Sequence, residues 1–133
     1  LAPDPTISID EKFKNFNARG GCSGNVSQFY ILPDGKVTIC EQMYWHPKFI
    51  LGDLTSQSIM EMWNSQEALG LFNMKQQDFN KESACYVCDQ FEECRRGLGA
   101  CWRDAMFAYG KDNYDFPSPN CPYAPQPYND IYL

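Results

Sequence analysis

Seven cysteines within 133 residues limit what this chain can fold into more than any other feature of its sequence. An odd number does not suit a complete disulfide framework, and 44% apolar residues can supply a core without such staples. Three interpretations are possible: disulfides, a zinc site and an iron–sulfur site. Disulfides are therefore the weakest, and metal binding by thiolates is favoured. The seven are Cys22, Cys40, Cys85, Cys88, Cys94, Cys101 and Cys121.

The type of metal is not decided by spacing alone. Cys85-x-x-Cys88 allows two thiolates to bind one tetrahedral zinc ion, and the same soft ligands suit the irons of an iron–sulfur cluster. The single histidine, His46, leaves few mixed Cys/His patterns and favours sites made of thiolates alone. We expect His46 to be a surface or packing residue, and zinc and iron both remain open at this point.

Charge and hydropathy exclude two kinds of partner. The net charge is −6 and the basic residues are scattered, so a nucleic-acid backbone is not an expected ligand. No apolar run approaches the ~20 residues that a membrane helix needs, and no membrane span is expected. One compact domain is the starting assumption for this length.

The first half of the chain predicts a β-hairpin followed by short helices. Residues 28–32 and 37–40 are β-branched and aromatic runs around a Pro-Asp-Gly-Lys turn that contains Gly35. Residues 41–54 are predicted to be irregular, because Pro47 and Gly52 interrupt them. Ser58 and Glu61 form a capping-box signature, and the helix that follows has Ile59, Met62 and Trp63 on one face. A second short helical stretch is predicted to continue this apolar face, and both stretches are predicted to supply core anchors. The second includes Ala68, Leu69, Leu71 and Phe72.

The two ends and the cysteine-rich region give weaker signals. Prolines and glycines within residues 1–21 suit a linker or lead-in segment. Residues 85–101 show no helical or strand period, so their structure should depend on metal, and Arg95 and Arg96 are expected to be solvated. Residues 102–109 predict a helix that ends at Gly110, followed by an extended, proline-rich tail.

The order of the cysteines resembles the SPASM domain of radical S-adenosylmethionine enzymes. Twelve residues separate Cys22 from Gly35, four more precede Cys40, and Cys85-x-x-Cys88 is followed after five residues by Cys94 and then by two further cysteines. Residues 29–40, 51–54 and 59–65 are similar to the family's strand–turn–strand, "lGni" and "eiwns" segments, so the resemblance covers about residues 20–123. One departure is the loop before Cys101, which has six residues where the family usually has three.

This resemblance implies an auxiliary domain with two 4Fe-4S clusters. It places Cys22, Cys40 and Cys101 on the first cluster, whose fourth iron is open to substrate or takes another ligand. It places Cys85, Cys88, Cys94 and Cys121 on the second. The expected fold class is α+β, with a small β-hairpin, short helices and a cysteine-rich, metal-organised loop region. Residues 22–133 would form the domain, and residues 1–21 would lead in from an upstream radical S-adenosylmethionine domain.

The function implied is electron transfer, substrate binding or both, within an oxidoreductase that matures peptides or proteins. No Cys-x-x-x-Cys-x-x-Cys motif is present, so the chain should not be catalytic alone. Its expected partners are a peptide or protein substrate and a radical S-adenosylmethionine catalytic domain, in the same chain or a separate one. The missing initiator Met favours the same chain. Free thiolates favour the cytoplasm. The alternative is a structural zinc-binding interaction domain without a redox role.

Overall fold

The computed structural model describes residues 6–22 and 24–128. The first five residues of the predicted lead-in and the last five of the predicted domain lie outside these ranges. The chain forms two compact units rather than one. We call residues 24–78 the sheet unit and residues 6–22 with 79–128 the cysteine unit. Cys40 belongs to the sheet unit, and the other six cysteines belong to the cysteine unit.

The sheet unit contains a three-stranded antiparallel sheet, β1 (Tyr30–Ile31), β2 (Lys36–Thr38) and β3 (Ile50–Asp53), in that order. The predicted hairpin is confirmed, although its strands are shorter than expected. Gly35 serves the turn with φ +92°, a left-handed conformation that glycine adopts without strain, and its amide donates to the Leu32 carbonyl at 2.9 Å. The hairpin closes with a 2.8 Å bond from the Leu32 amide to the Lys36 carbonyl.

Strand β3 corrects the prediction that residues 41–54 are irregular. Pro47 opens a short 3-10 helix, Pro47–Phe49, and so precedes the strand instead of breaking it. Gly52 lies within β3, opposite Val37, where a Cβ atom would overlap the Gln57 side chain and lie 2.8 Å from the Cγ atom of Met62. Glycine at this position therefore allows close packing against the strand and does not end it.

Two short helices follow the sheet, α2 (Ile59–Trp63) and α3 (Gln66–Phe72), and the 3-10 helix Gln76–Asp78 ends the unit. The capping box is confirmed: Glu61 N–H donates to Ser58 Oγ, and Ser58 N–H donates to the Glu61 carboxylate. The predicted second helical stretch is confirmed as α3, which Ser65 caps, but the two helices do not share one continuous apolar face. Met62, Ala68 and Leu71 are buried and Trp63 is half-buried, whereas Ile59, Leu69 and Phe72 are exposed.

The cysteine unit begins with a helix that the sequence did not predict, α1 (Ile9–Asn17). Ser8 caps it by accepting a hydrogen bond from the Glu11 amide, and Phe13 is buried against Tyr123 with ring centroids 4.7 Å apart. The prolines and glycines that suggested a linker bracket this helix without interrupting it. The domain boundary near residue 21 stays a prediction.

Helix α4 (Trp102–Tyr109) is confirmed, with Gly110 as its C-cap. Three of its four buried side chains form a core with one residue of the tail: Ala105, Ala108, Tyr109 and Phe116. The region predicted to lack regular structure contains a 3-10 helix, Ala84–Val87, and a π-helix, Glu92–Leu98. The 3-10 helix Lys111–Asn113 precedes the tail. None of the helices in residues 6–22 and 24–128 has the length and hydropathy of a membrane span. The α+β fold class is confirmed.

Candidate functional site

All seven cysteines lie in the described ranges, and none of them is paired in a disulfide there. Four of them line a single cavity in the cysteine unit: Cys85, Cys88, Cys94 and Cys121. These are the four that sequence analysis assigned to the second cluster. The remaining lining is largely apolar, with Phe13, Phe16, Phe91, Ala100 and Pro117 among the side chains. Sulfurs from three stretches of chain thus face one apolar space.

Local structure positions the first two of these sulfurs. Ser83 Oγ accepts a hydrogen bond from the Cys85 amide at 3.2 Å and donates to the Asp115 carbonyl at 2.8 Å, so the cap of the Ala84–Val87 helix is fixed to the tail. Cys88 ends that helix, with its amide 3.3 Å from the Cys85 carbonyl. The x-x spacing therefore corresponds to one tight turn.

The other two sulfurs come from the π-helix and from the tail. The Cys94 amide donates to the Gln90 carbonyl at 2.9 Å, and the Cys94 carbonyl accepts from Gly99 at 2.7 Å, where the π-helix ends. Cys121 lies in a turn closed by a 2.9 Å bond from its amide to the Ser118 carbonyl. Because a turn needs only local bonds, the tail can place this sulfur without a helix or strand.

Each of the four sulfurs accepts at least one N–H donor. Two donors are backbone amides: Gln90 N lies 3.4 Å from Cys88 Sγ, and Tyr123 N lies 3.4 Å from Cys121 Sγ. The other two are guanidinium groups: Arg19 Nη2 lies 3.0 Å from Cys94 Sγ, and Arg95 Nη2 lies 3.5 Å from Cys85 Sγ. Donors directed at sulfur stabilise the thiolate, which is the form that binds metal.

The expectation that Arg95 and Arg96 are both solvated is wrong for Arg95. Arg96 is partly exposed and pairs with Glu92 at 3.3 Å, one helical turn away. Arg95 points inward, because it lines the cavity and its guanidinium lies 5.1 Å from the Phe79 ring centroid. Arg19 was missed altogether, since it is 75 residues from Cys94 and no local pattern links the two.

Burial and mutual repulsion keep two of the thiols protonated. Burial raises the pKa of the Cys121 thiol to about 11, and the nearby Cys85, Cys94 and Cys88 add to the rise. Burial likewise raises the pKa of Cys88, with Cys85, Asp89 and Cys94 as further causes. Positive charge in the cavity would offset both effects, so metal binding should release protons from these thiols.

The polar atoms beside the cavity fit an anionic group that offers acceptors. Arg95 Nε and Nη1 are buried, and neither has a partner among the described residues. Within residues 6–22 and 24–128, no three His, Cys, Asp or Glu side chains are arranged to hold a metal ion. An iron–sulfur cluster binds each thiolate through a different iron, so its ligands surround a volume rather than a point. Four sulfurs around one cavity meet that requirement.

Two cysteines of the predicted first set also lie close together in the cysteine unit. The Cys22 amide donates to the Leu98 carbonyl at 3.0 Å, and Gly99 turns the chain with φ +76° beside Cys22. The end of the six-residue loop before Cys101 thus lies against Cys22. Burial raises the pKa of the Cys101 thiol, and the charges of Asp104 and Cys22 raise it further.

The third member of that set, Cys40, lies in the sheet unit, just after β2. Its carbonyl accepts from the Met43 amide at 3.0 Å in a turn. Whether it joins Cys22 and Cys101 stays a prediction. His46, which was not expected to be a ligand, is buried next to Phe49, and its Nδ1 accepts from the Lys48 amide at 3.2 Å.

The fold and the cavity define a small α+β domain that presents grouped thiols to a metal-containing cofactor. Residues 22–89 match the family model of the SPASM iron–sulfur cluster-binding domain, which is just over half of the chain. The chain therefore belongs to the SPASM family, and its cofactor is of the iron–sulfur type. Searches of curated proteins and of solved structures gave no significant match. Cys94, Cys101 and Cys121 lie beyond the matched residues.

Proposed function

We propose that this chain binds two 4Fe-4S clusters, with Cys85, Cys88, Cys94 and Cys121 as the four ligands of the second. The single observation that supports this most is the cavity on which these four sulfurs converge, each with its own N–H donor. The first cluster would use Cys22, Cys40 and Cys101. Its three cysteines leave one iron for a substrate or for another ligand.

The chain's own residues would hold and shield the second cluster. Phe13, Phe16 and Phe91 line the cavity and would keep water from the sulfurs. The amides of Gln90 and Tyr123 would offset thiolate charge without adding a titratable group. When bound, such clusters supply one-electron transfer or an iron that a substrate can reach.

We further propose that the chain acts within a radical S-adenosylmethionine oxidoreductase that modifies a peptide or protein. The family membership supports this setting. Because the sequence has no Cys-x-x-x-Cys-x-x-Cys motif, we propose that another domain cleaves S-adenosylmethionine. Thiolate ligands of this kind require a reducing compartment, which favours the cytoplasm.

Metal analysis of anaerobically purified and reconstituted chain tests the proposal. Two clusters predict about eight irons and eight acid-labile sulfides per chain, the stoichiometry of two 4Fe-4S groups. Cys121→Ser should remove the second cluster and keep the first, and Cys40→Ser should do the reverse, so that the two variants have different paramagnetic resonance spectra. Zinc without sulfide in the anaerobic protein would support the structural zinc-binding alternative instead.

In the complete enzyme, Cys85→Ala should abolish modified product and leave the cleavage of S-adenosylmethionine intact. The reason is that the second cluster would act after the catalytic domain has formed its radical. Full turnover by this variant would refute the functional role and leave only a structural one.

A further inference from the structure

Arg19 and Arg95 each donate a side-chain hydrogen bond to a cavity sulfur. Arg19 follows α1, and Arg95 lies in the π-helix. Their Nη2 atoms contact Cys94 Sγ at 3.0 Å and Cys85 Sγ at 3.5 Å. Two positive charges therefore lie against two of the four proposed ligands.

Arg95 is held rigidly but lacks an anion. Its Nη2 also donates to the Phe116 carbonyl at 2.6 Å, and its guanidinium lies about equally far from the rings of Phe79 and Trp102, at 5.1 and 5.2 Å. No carboxylate of the described residues forms an ion pair with it, and Nε and Nη1 are buried without partners. A partly buried cation with unused donors is costly unless an anionic acceptor lies beside it.

Arg19 is fixed by equally specific contacts. Its Nη1 donates to the Phe16 carbonyl at 3.2 Å and to Asn17 Oδ1 at 3.3 Å, and its guanidinium stacks 4.0 Å from the Phe16 ring centroid. Its Nη2 is shared between Cys94 Sγ and the Gly99 carbonyl, both at 3.0 Å. The arginine thus ties α1 to the π-helix that carries Cys94.

We propose that Arg19 and Arg95 are positioning residues that raise the reduction potential of the second cluster and slow its loss. The inference depends on the proposed function, because it assumes that these cysteines hold a cluster. Reduction adds one electron and no proton, so the cluster with its thiolates becomes one charge more negative. A nearby cation stabilises that reduced form more than the oxidised form, which shifts the potential upward.

The test uses the full 133-residue chain in a Cys40→Ser background, where too few ligands remain for the first cluster. Arg19→Gln and Arg95→Gln are each compared with a control, Arg96→Gln. Arg96 is next to Arg95 in the π-helix, but it pairs with Glu92 at the surface. The midpoint potential is measured by spectroelectrochemistry under nitrogen, with dithionite as the reductant. Iron release to a chelator is measured in parallel.

Arg19→Gln and Arg95→Gln should each lower the midpoint potential. Each should also speed iron release by about 10-fold, the usual size of the effect of a residue that contacts a metal ligand. Arg96→Gln should match the parent in both measurements. Arg19→Lys should keep most of the potential, because the charge remains, but should still release iron faster, because the two-sided contact is lost. A retained potential together with faster iron release would not arise if the arginines merely stabilised the fold.

The two proposals fail in distinguishable ways. If the parent chain takes up no iron and sulfide, the proposed function fails. If the parent loads a cluster and Arg19→Gln has the potential and release rate of Arg96→Gln, the inference fails and the cluster remains. Should Arg95→Gln fold too poorly to load, Arg19→Gln alone decides, since it leaves the cavity lining unchanged.

Discussion

The sheet unit and the cysteine unit are built on different physical principles. In the sheet unit, a hydrogen-bonded ladder is combined with side chains that have no exposed surface, among them Val37, Phe49, Leu51 and Met62. The described part of the cysteine unit has helices but no strand, and thiols line its cavity. The first unit follows ordinary hydrophobic burial. The second groups thiols that raise one another's pKa values beside an arginine, Arg95, with two buried donor atoms that lack a partner among the described residues.

The difference teaches where the cofactor contributes to stability. Thiols whose pKa values are raised by burial and by one another, and a guanidinium with unused donors, are unfavourable until a cluster binds. The sheet unit has few such groups and should fold by its core alone. Four experiments can break or sharpen this contrast.

Removing the proposed second cluster should have the largest effect, and it should be confined to the cysteine unit. Binding free energy on the order of 10 kcal/mol can serve as folding free energy in small metal-dependent domains. The test uses the Cys40→Ser variant, which would hold only the second cluster. After iron is removed from it with a chelator and an oxidant, hydrogen exchange at residues 84–98 should speed up strongly, and exchange in β2 should not change. Equal loss of protection in both units would contradict the contrast.

Phe49→Ala should have the next largest effect, in the sheet unit. The Phe49 side chain has no exposed surface, and deleting a buried phenylalanine costs about 3–5 kcal/mol in transfer and cavity terms. Thermal or chemical unfolding of the iron-loaded chain measures the loss. The matched control is Phe72→Ala, in the same unit but 53% exposed, which should cost well under half as much. Similar losses for the two variants would refute the assigned core.

The same contrast explains how far the sequence could predict the molecule. The hairpin turn, the capping box at Ser58 and the helix ending at Gly110 depend on neighbouring residues, and all three are present. Strand β3 was missed because Gly52 was interpreted as a break. It is needed for close packing against Gln57 and Met62, which a single sequence does not show.

The site could be predicted only in part. The order of the cysteines gave the four that line the cavity, because their spacing matches a family. The donors to their sulfurs could not be found that way: Arg19 and Cys94 are 75 residues apart, and the inward direction of Arg95 depends on packing against Phe79 and Trp102. Long-range polar contacts leave no periodic signal in the chain.

Two glycines of the sheet unit should respond to the same substitution with opposite signs. Gly35→Ala forces alanine into φ +92° and brings its Cβ within 2.7 Å of Thr55 Cγ2, so a loss of about 1–2 kcal/mol is expected. Gly70 lies in α3, where an added Cβ would have no neighbouring atom within 4 Å, so Gly70→Ala should gain up to ~1 kcal/mol. Denaturant midpoints at equal slope test both. A gain at Gly35 would show that the turn is not fixed by the ladder.

Tyr109→Phe should have the smallest effect. It lies in the cysteine unit, where isolated hydrogen bonds hold the tail instead of the ladder of a β-sheet. The Tyr109 hydroxyl donates to the Pro125 carbonyl at 2.8 Å, and burial raises the pKa of Tyr109 to about 12, so the donor stays protonated at any ordinary pH. Loss of this bond should cost about 1 kcal/mol, because water can reach the exposed Pro125 once the bond is gone.

The control is Tyr123→Phe. The Tyr123 side chain is 45% exposed, and the substitution preserves its ring contact with Phe13. If Tyr109→Phe leaves exchange of the Tyr128 amide, which donates to the Ala108 carbonyl at 2.8 Å, unchanged, the tail is held by separate contacts. Faster exchange of that amide would mean that the tail is held cooperatively, and the contrast between the units would stop at the cavity.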